Sequence, residues 1–111
     1  MTDQEYMNRA EALLRSIEIQ CDRLNETTDV DIDNQRVGGM ITLVFRDRSE
    51  VVINLQKALH EVWLAARSGG YHFQLDGAGA WRDTKSGEDF FACLTRSVSE
   101  HAGEALTFQP T

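Results

Sequence analysis

Apolar positions recur at two different periods along this chain, and the change from one to the other maps its elements. Tyr6, Ala10, Leu13, Leu14, Ile17, Cys21 and Leu24 fall on one stripe at helical spacing. This predicts an amphipathic helix from about Asp3 to Asn25 that must lie on an apolar surface. The period then drops to two. Thr28-Asp29-Val30-Asp31-Ile32-Asp33 alternates as a first strand, and Met40 to Phe45 follows as a second, with Ile41, Leu43 and Phe45 on one face. A hairpin turn over Arg46 to Ser49 leads into a strand around Val51 to Leu55. Further strands are expected at Val62 to Ala65, at Tyr71 to Leu75 and, briefly, near Trp81. Helical spacing returns with Phe90, Phe91, Leu94 and Val98, in a helix that runs to about His101. Ser86, with the acidic Asp89 three residues on, reads as its N-cap and Gly103 as its stop. The pairs Gly38-Gly39 and Gly69-Gly70 sit between strands, where they suit turns.

Short connections between the strands favour antiparallel pairing. The expected fold is α+β: a two-layer α-β sandwich, with two helices packed on one face of a mostly antiparallel sheet and the other face open. A chain of 111 residues makes this a single domain, 1–111, large enough for one core without staples.

Strand phase then decides what the open face carries. Val51, Ile53 and Leu55 point one way, Asn54 and Gln56 the other; Val62 and Leu64 turn inward and Trp63 outward. Tyr71, Phe73 and Leu75 face the core, which leaves His72 and Gln74 beside Trp63, Asn54 and Gln56 on the outer surface. An outward tryptophan is either shielded by a neighbouring side chain or an interface anchor, and the amides beside it offer directional hydrogen bonds. His72, His60 and His101 read as solvated polar residues rather than ligands, and Trp81 as packing at the end of the sheet.

Composition narrows the partners. The formal net charge of −7 argues against nucleic acid and anionic membrane, both of which carry negative charge. Cations or a basic protein surface are the natural ligands. Neither a leader nor a bilayer-length apolar run is visible, so a soluble cytoplasmic protein is expected. Cys21 and Cys93 lie on separate predicted helices without nearby Cys or His in sequence, as buried free thiols do. No G-x-S-x-G elbow, phosphate-binding loop or H-x-x-x-H or C-x-x-C signature is present, and an enzyme is not expected.

The candidate chemistry is acidic. On a helical wheel Glu11, Glu18 and Asp22 share one flank of the first helix, while Asp29, Asp31 and Asp33 project from one side of the segment that follows. If the two sets adjoin, they form a ridge of carboxylates suited to a hard cation such as iron, manganese, calcium or magnesium. The alternative is a set of solubilising charges, with Glu11 and Arg15 an exposed ion pair of about 0.3 to 0.5 kcal/mol.

The blocks Gly38-Gly39, Ile53-Asn54-Leu55-Gln56, Leu59-His60-Glu61-Val62-Trp63-Leu64-Ala65 and Gly69-Gly70-Tyr71-His72-Phe73 resemble, in order and spacing across nearly the whole chain, the bacterial frataxins (the CyaY family). The resemblance implies iron supply to, or regulation of, iron-sulfur cluster assembly through a cysteine desulfurase. It implies weak binding of ferrous or ferric iron on the ridge, with Asp3, Glu11, Glu18, Asp22, Asp29 and Asp31 at the family's acidic positions. Asn54, Gln56 and Trp63 would contact the desulfurase or the scaffold protein, and the chain would be a monomer without iron. The alternative is an acidic adaptor of the same machinery with no functional iron site. Three departures are visible. Ala58 stands near the place of a common family proline, Ile19 and Arg23 replace carboxylates and thin the ridge, and Met7 stands where a relative can carry histidine.

Overall fold

The computed structural model describes residues 1–110 and confirms the two-layer arrangement. Helix α1 spans Asp3–Thr27. Its first turn is closed by a capping box: the Glu5 amide donates to the Thr2 hydroxyl at 3.0 Å, and the Thr2 amide returns a bond to the Glu5 carboxylate at 3.3 Å. The stripe found in the sequence is the stripe that is buried, with Tyr6, Ala10, Leu14, Ile17 and Cys21 fully enclosed.

Six strands follow: β1 (Asp33–Val37), β2 (Met40–Val44), β3 (Glu50–Gln56), β4 (Glu61–Ala66), β5 (Gly69–Leu75) and β6 (Trp81–Asp83). They form one sheet in sequence order, every neighbouring pair antiparallel. Helix α2 covers Phe90–Ala102. Ile41, Leu43, Val51, Ile53, Val62, Leu64 and Phe73 form the sheet's buried side, in one core with the helix residues Leu14, Ile17, Phe90 and Leu94. The period-two phase therefore holds on β2 to β5.

Two boundaries differ from expectation. Thr28 to Ile32 alternates in burial but forms no strand; the sheet begins at Asp33. Side chains of the preceding helix supply the bonds that a ladder would. Asn25 donates to the Ile32 carbonyl and accepts from its amide, both at 2.8 Å, and the Thr28 hydroxyl donates to the Leu24 carbonyl and accepts from the Val30 amide. Helix α2 is capped by Asp89, whose carboxylate accepts from the Phe91 and Ala92 amides, and not by Ser86. Ser86 is engaged elsewhere: its amide and hydroxyl both donate to Asp83 at 2.8 Å, and Gly87 next to it takes a left-handed φ of 77° that the helix cannot continue through.

The last residues add a piece that the pattern of elements did not anticipate. Leu106 and Phe108 are buried, and three side chains clamp this tail, each closing two bonds on one tail residue. Ser99 holds Leu106, Thr95 holds Phe108, and Gln20 from the other helix holds Gln109.

Candidate functional site

On the open sheet face the register aligns Met40, Asn54, Trp63 and His72 in one cross-strand row over β2 to β5. Trp63 lies flat on this row, its ring stacked on His72 with centroids 4.0 Å apart and planes within 6°. The indole N–H donates to Glu61 Oε1 at 2.9 Å, and Gln74 donates to the other oxygen of the same carboxylate at 2.7 Å. Glu61 is only 9% exposed. Two bonds from neutral donors meet its charge, and His72 Nδ1 stands 3.9 Å away. The tryptophan is thus half-buried and oriented, with one ring face against His72. Among the described residues, the side-chain amides of Asn54 and Gln56 bond to no other residue, which leaves them available to a partner. A shallow cavity of about 280 Å³ opens beside Trp63 between Val52, Ala65 and His72. Sequence reasoning missed Glu61, although it sits two residues before Trp63 and hence on the same face.

The six candidate carboxylates separate into three places. Glu11, Glu18 and Asp22 lie together on the flank of α1 that faces β1, and β1 engages all three. Arg36 bonds Glu11 through one guanidinium nitrogen and Glu18, at 3.1 Å, through the other, while Asn34 donates to Asp22 at 3.0 Å. The ion-pair partner of Glu11 is therefore Arg36, not Arg15. Asp29 and Asp31 lie in the connection after α1, on a cleft of about 590 Å³ whose far wall is Glu100, Gly103 and Glu104 at the end of α2. Asp3 stands apart at the start of α1. It accepts a 2.8 Å bond from His60, and that bond holds its carboxyl below the usual range. No group of three or more His, Cys, Asp or Glu among the described residues is arranged to hold a metal ion.

His60 and His101 are less solvated than their polarity suggested, while His72 is exposed as expected. His60 stacks on Tyr6, with ring centroids 5.1 Å apart. His101 is buried against Phe45 and ties three segments together: the Arg67 amide donates to its Nε2 at 3.0 Å, and its Nδ1 meets the Ser49 hydroxyl at 2.8 Å. Both cysteines are buried and free, and burial pushes the Cys21 thiol up to about 12 and that of Cys93 to about 11, which leaves them unreactive.

Comparison with known proteins agrees with this architecture. A family model described as a frataxin-like domain matches residues 1–104. The iron-sulfur cluster assembly protein CyaY of Variovorax paradoxus is 62% identical over 108 residues, covering 97% of this chain and 97% of that protein. Its counterpart in Paraburkholderia xenovorans is 45% identical over 109 residues, covering 98% and 99%. Among solved structures, the frataxin of Psychromonas ingrahamii superposes with a TM-score of 0.85 at 31% identity, covering 99% of this chain and all of that one. The trimeric frataxin of the yeast Saccharomyces cerevisiae, solved in complex with ferrous iron, gives 0.74 at 26% identity, covering 86% of this chain and 87% of that one.

Proposed function

The chain belongs to the frataxin-like family, and from that premise we propose that it is a non-catalytic, cytoplasmic protein of iron-sulfur cluster assembly. In this reading it regulates a cysteine desulfurase and its scaffold protein, and it binds iron weakly as cargo on the carboxylates of α1 and the connection after it. The observation that carries the proposal is the oriented tryptophan. A large ring fixed on an open sheet face by a buried carboxylate, with unengaged amides beside it, is a surface prepared for a protein partner. The acidity of the opposite flank suits a basic surface and hard cations alike.

The reading divides into two parts that one experiment separates. Trp63→Ala removes a stacked pair and one hydrogen bond, so it lowers stability by about 1 kcal/mol, against about 3 to 5 kcal/mol for a buried tryptophan. It weakens binding to the desulfurase or scaffold about thirtyfold in calorimetric titration and leaves iron binding unchanged. Changing Glu18 to Gln together with Asp22, Asp29 and Asp31 to Asn abolishes the iron-induced shifts of the α1 amides and keeps the fold. If the quadruple variant binds iron as the natural protein does, the iron site is elsewhere; if the natural protein itself binds none, the adaptor reading stands. If Trp63→Ala binds every assembly partner normally, the sheet face is not the interface.

A further inference from the structure

We propose that Arg36 is a tethered counter-cation of the α1 carboxylates, an internal competitor that any metal ion or basic side chain must displace from Glu11 and Glu18. The inference rests on the reading that this flank receives cations, and it identifies the residue that sets which cations succeed.

The geometry is specific to β1. Asn34 and Arg36 are two residues apart, so the strand turns both toward the helix. The nearer one offers a neutral donor to Asp22 and the farther one a charged fork to Glu11 and Glu18. These glutamates are seven residues apart, two turns of helix or about 10 Å along its axis. One planar guanidinium reaches both, because its two terminal nitrogens donate in different directions. Its third donor, Nε, bonds to the Gly38 carbonyl of the adjoining turn at 3.3 Å, so the hairpin itself aims the fork. Arg36 is 21% exposed, and Glu11 and Glu18 are 33% and 32% exposed. The bridge is therefore open enough to exchange with solution, and screening keeps each of its ion pairs weak.

A weak, tethered cation acts as a filter. A single charge arriving from solution replaces Arg36 like for like, with no electrostatic gain, and must also overcome the high local concentration that the tether gives Arg36. An ion of two or three charges, or a segment carrying several basic residues, gains more attraction than it displaces. Glu11, Glu18 and Asp22 outnumber Arg36 and the exposed Arg15 of the same flank, which leaves it net negative, able to attract such a ligand while disfavouring monovalent ones.

The test is a titration of the full chain with ferrous ion under anaerobic conditions, and separately with a hexa-arginine peptide, followed by backbone amide shifts on α1. Arg36→Gln is compared with Arg23→Gln, which makes the same change in net charge from the exposed side of the helix. Arg36→Lys keeps the charge and loses the fork. Thermal melts confirm that each variant is folded. The expected result is that Arg36→Gln binds both probes about three- to tenfold more tightly, with shifts centred around Glu11 and Glu18, while Arg23→Gln changes affinity less than twofold. Arg36→Lys falls between the natural protein and Arg36→Gln. Equal tightening in Arg36→Gln and Arg23→Gln would reduce the effect to net charge and overturn the proposal, as would unchanged affinity in Arg36→Gln. Absence of α1 shifts in both the natural protein and Arg36→Gln would sink the cation-receiving flank itself, and this inference with it.

Discussion

At His101 a backbone amide decides the protonation state. The Arg67 N–H can only donate, so Nε2 accepts and the proton sits on Nδ1, which donates to Ser49; the Ser49 hydroxyl passes its own proton toward Asp47. Protonating Nε2 would break the first of these bonds. Burial, and after it the Arg67 guanidinium, holds this histidine below its usual value, with Glu100 and Asp47 acting weakly the other way. A histidine whose folded pKa is depressed takes up its proton more readily unfolded. Its contribution is therefore complete above the unfolded pKa of about 6.5 and is lost as pH falls from there through the folded value. Urea unfolding from pH 7.5 to 5 will show stability dropping below about 6.5. His101→Gln will be less stable at neutral pH but will flatten that slope, and an unchanged slope would move its origin to another group.

Between the helices, an irregular segment acts as a third element. The tail after Gly103 has no ladder partner, yet the backbone of Leu106, Phe108 and Gln109 is bonded on both sides by Ser99, Thr95 and Gln20. Those residues occupy the helix faces that a sheet-only account would leave to water. Thr95→Val keeps the shape of the side chain and deletes both bonds to Phe108. It should cost about 1 to 3 kcal/mol in urea unfolding and speed removal of the tail by carboxypeptidase, because two backbone groups lose their partners. Unchanged stability would mean that burial of Leu106 and Phe108 alone holds the tail. The β1 edge follows a similar logic, since its inward polar residues bond to α1 instead of packing in the core.

For the whole molecule the asymmetry of charge matters more than its sum. The sheet's open face holds Trp63, Asn54 and Gln56, while α1 carries a flank of carboxylates, so one partner assembly can meet a directional surface and an electrostatic one at separate places. Electrostatic docking predicts that association with a basic desulfurase slows steeply between low and physiological salt, where screening already acts over about 8 Å, and that dissociation changes far less. Stopped-flow binding at several ionic strengths measures both rates. An association rate indifferent to salt would leave the sheet face as the sole docking surface.

The orientation of Trp63 was legible in the sequence because it depends on one covalent fact: successive side chains of a strand point to opposite faces, so the burial of Val62 and Leu64 turns the residue between them outward. The helix stripe from Tyr6 to Leu24, the hairpin turn before Ser49 and the stop at Gly103 were legible for the same reason, since each is decided within a few residues. What only the tertiary structure decided was which of several available partners each polar group takes, some close along the chain and others remote from it. Alternation over Thr28 to Ile32 could not reveal that Asn25 would take the backbone bonds of Ile32, nor could spacing choose between Ser86 and Asp89 as a cap while Asp83 was free to claim Ser86. Glu11 and Arg36 are 25 residues apart, and His101 and Ser49 are 52 apart. A helical wheel places a carboxylate on a flank, but only the approach of the strand beside it determines whether that charge faces water, a metal ion or an arginine.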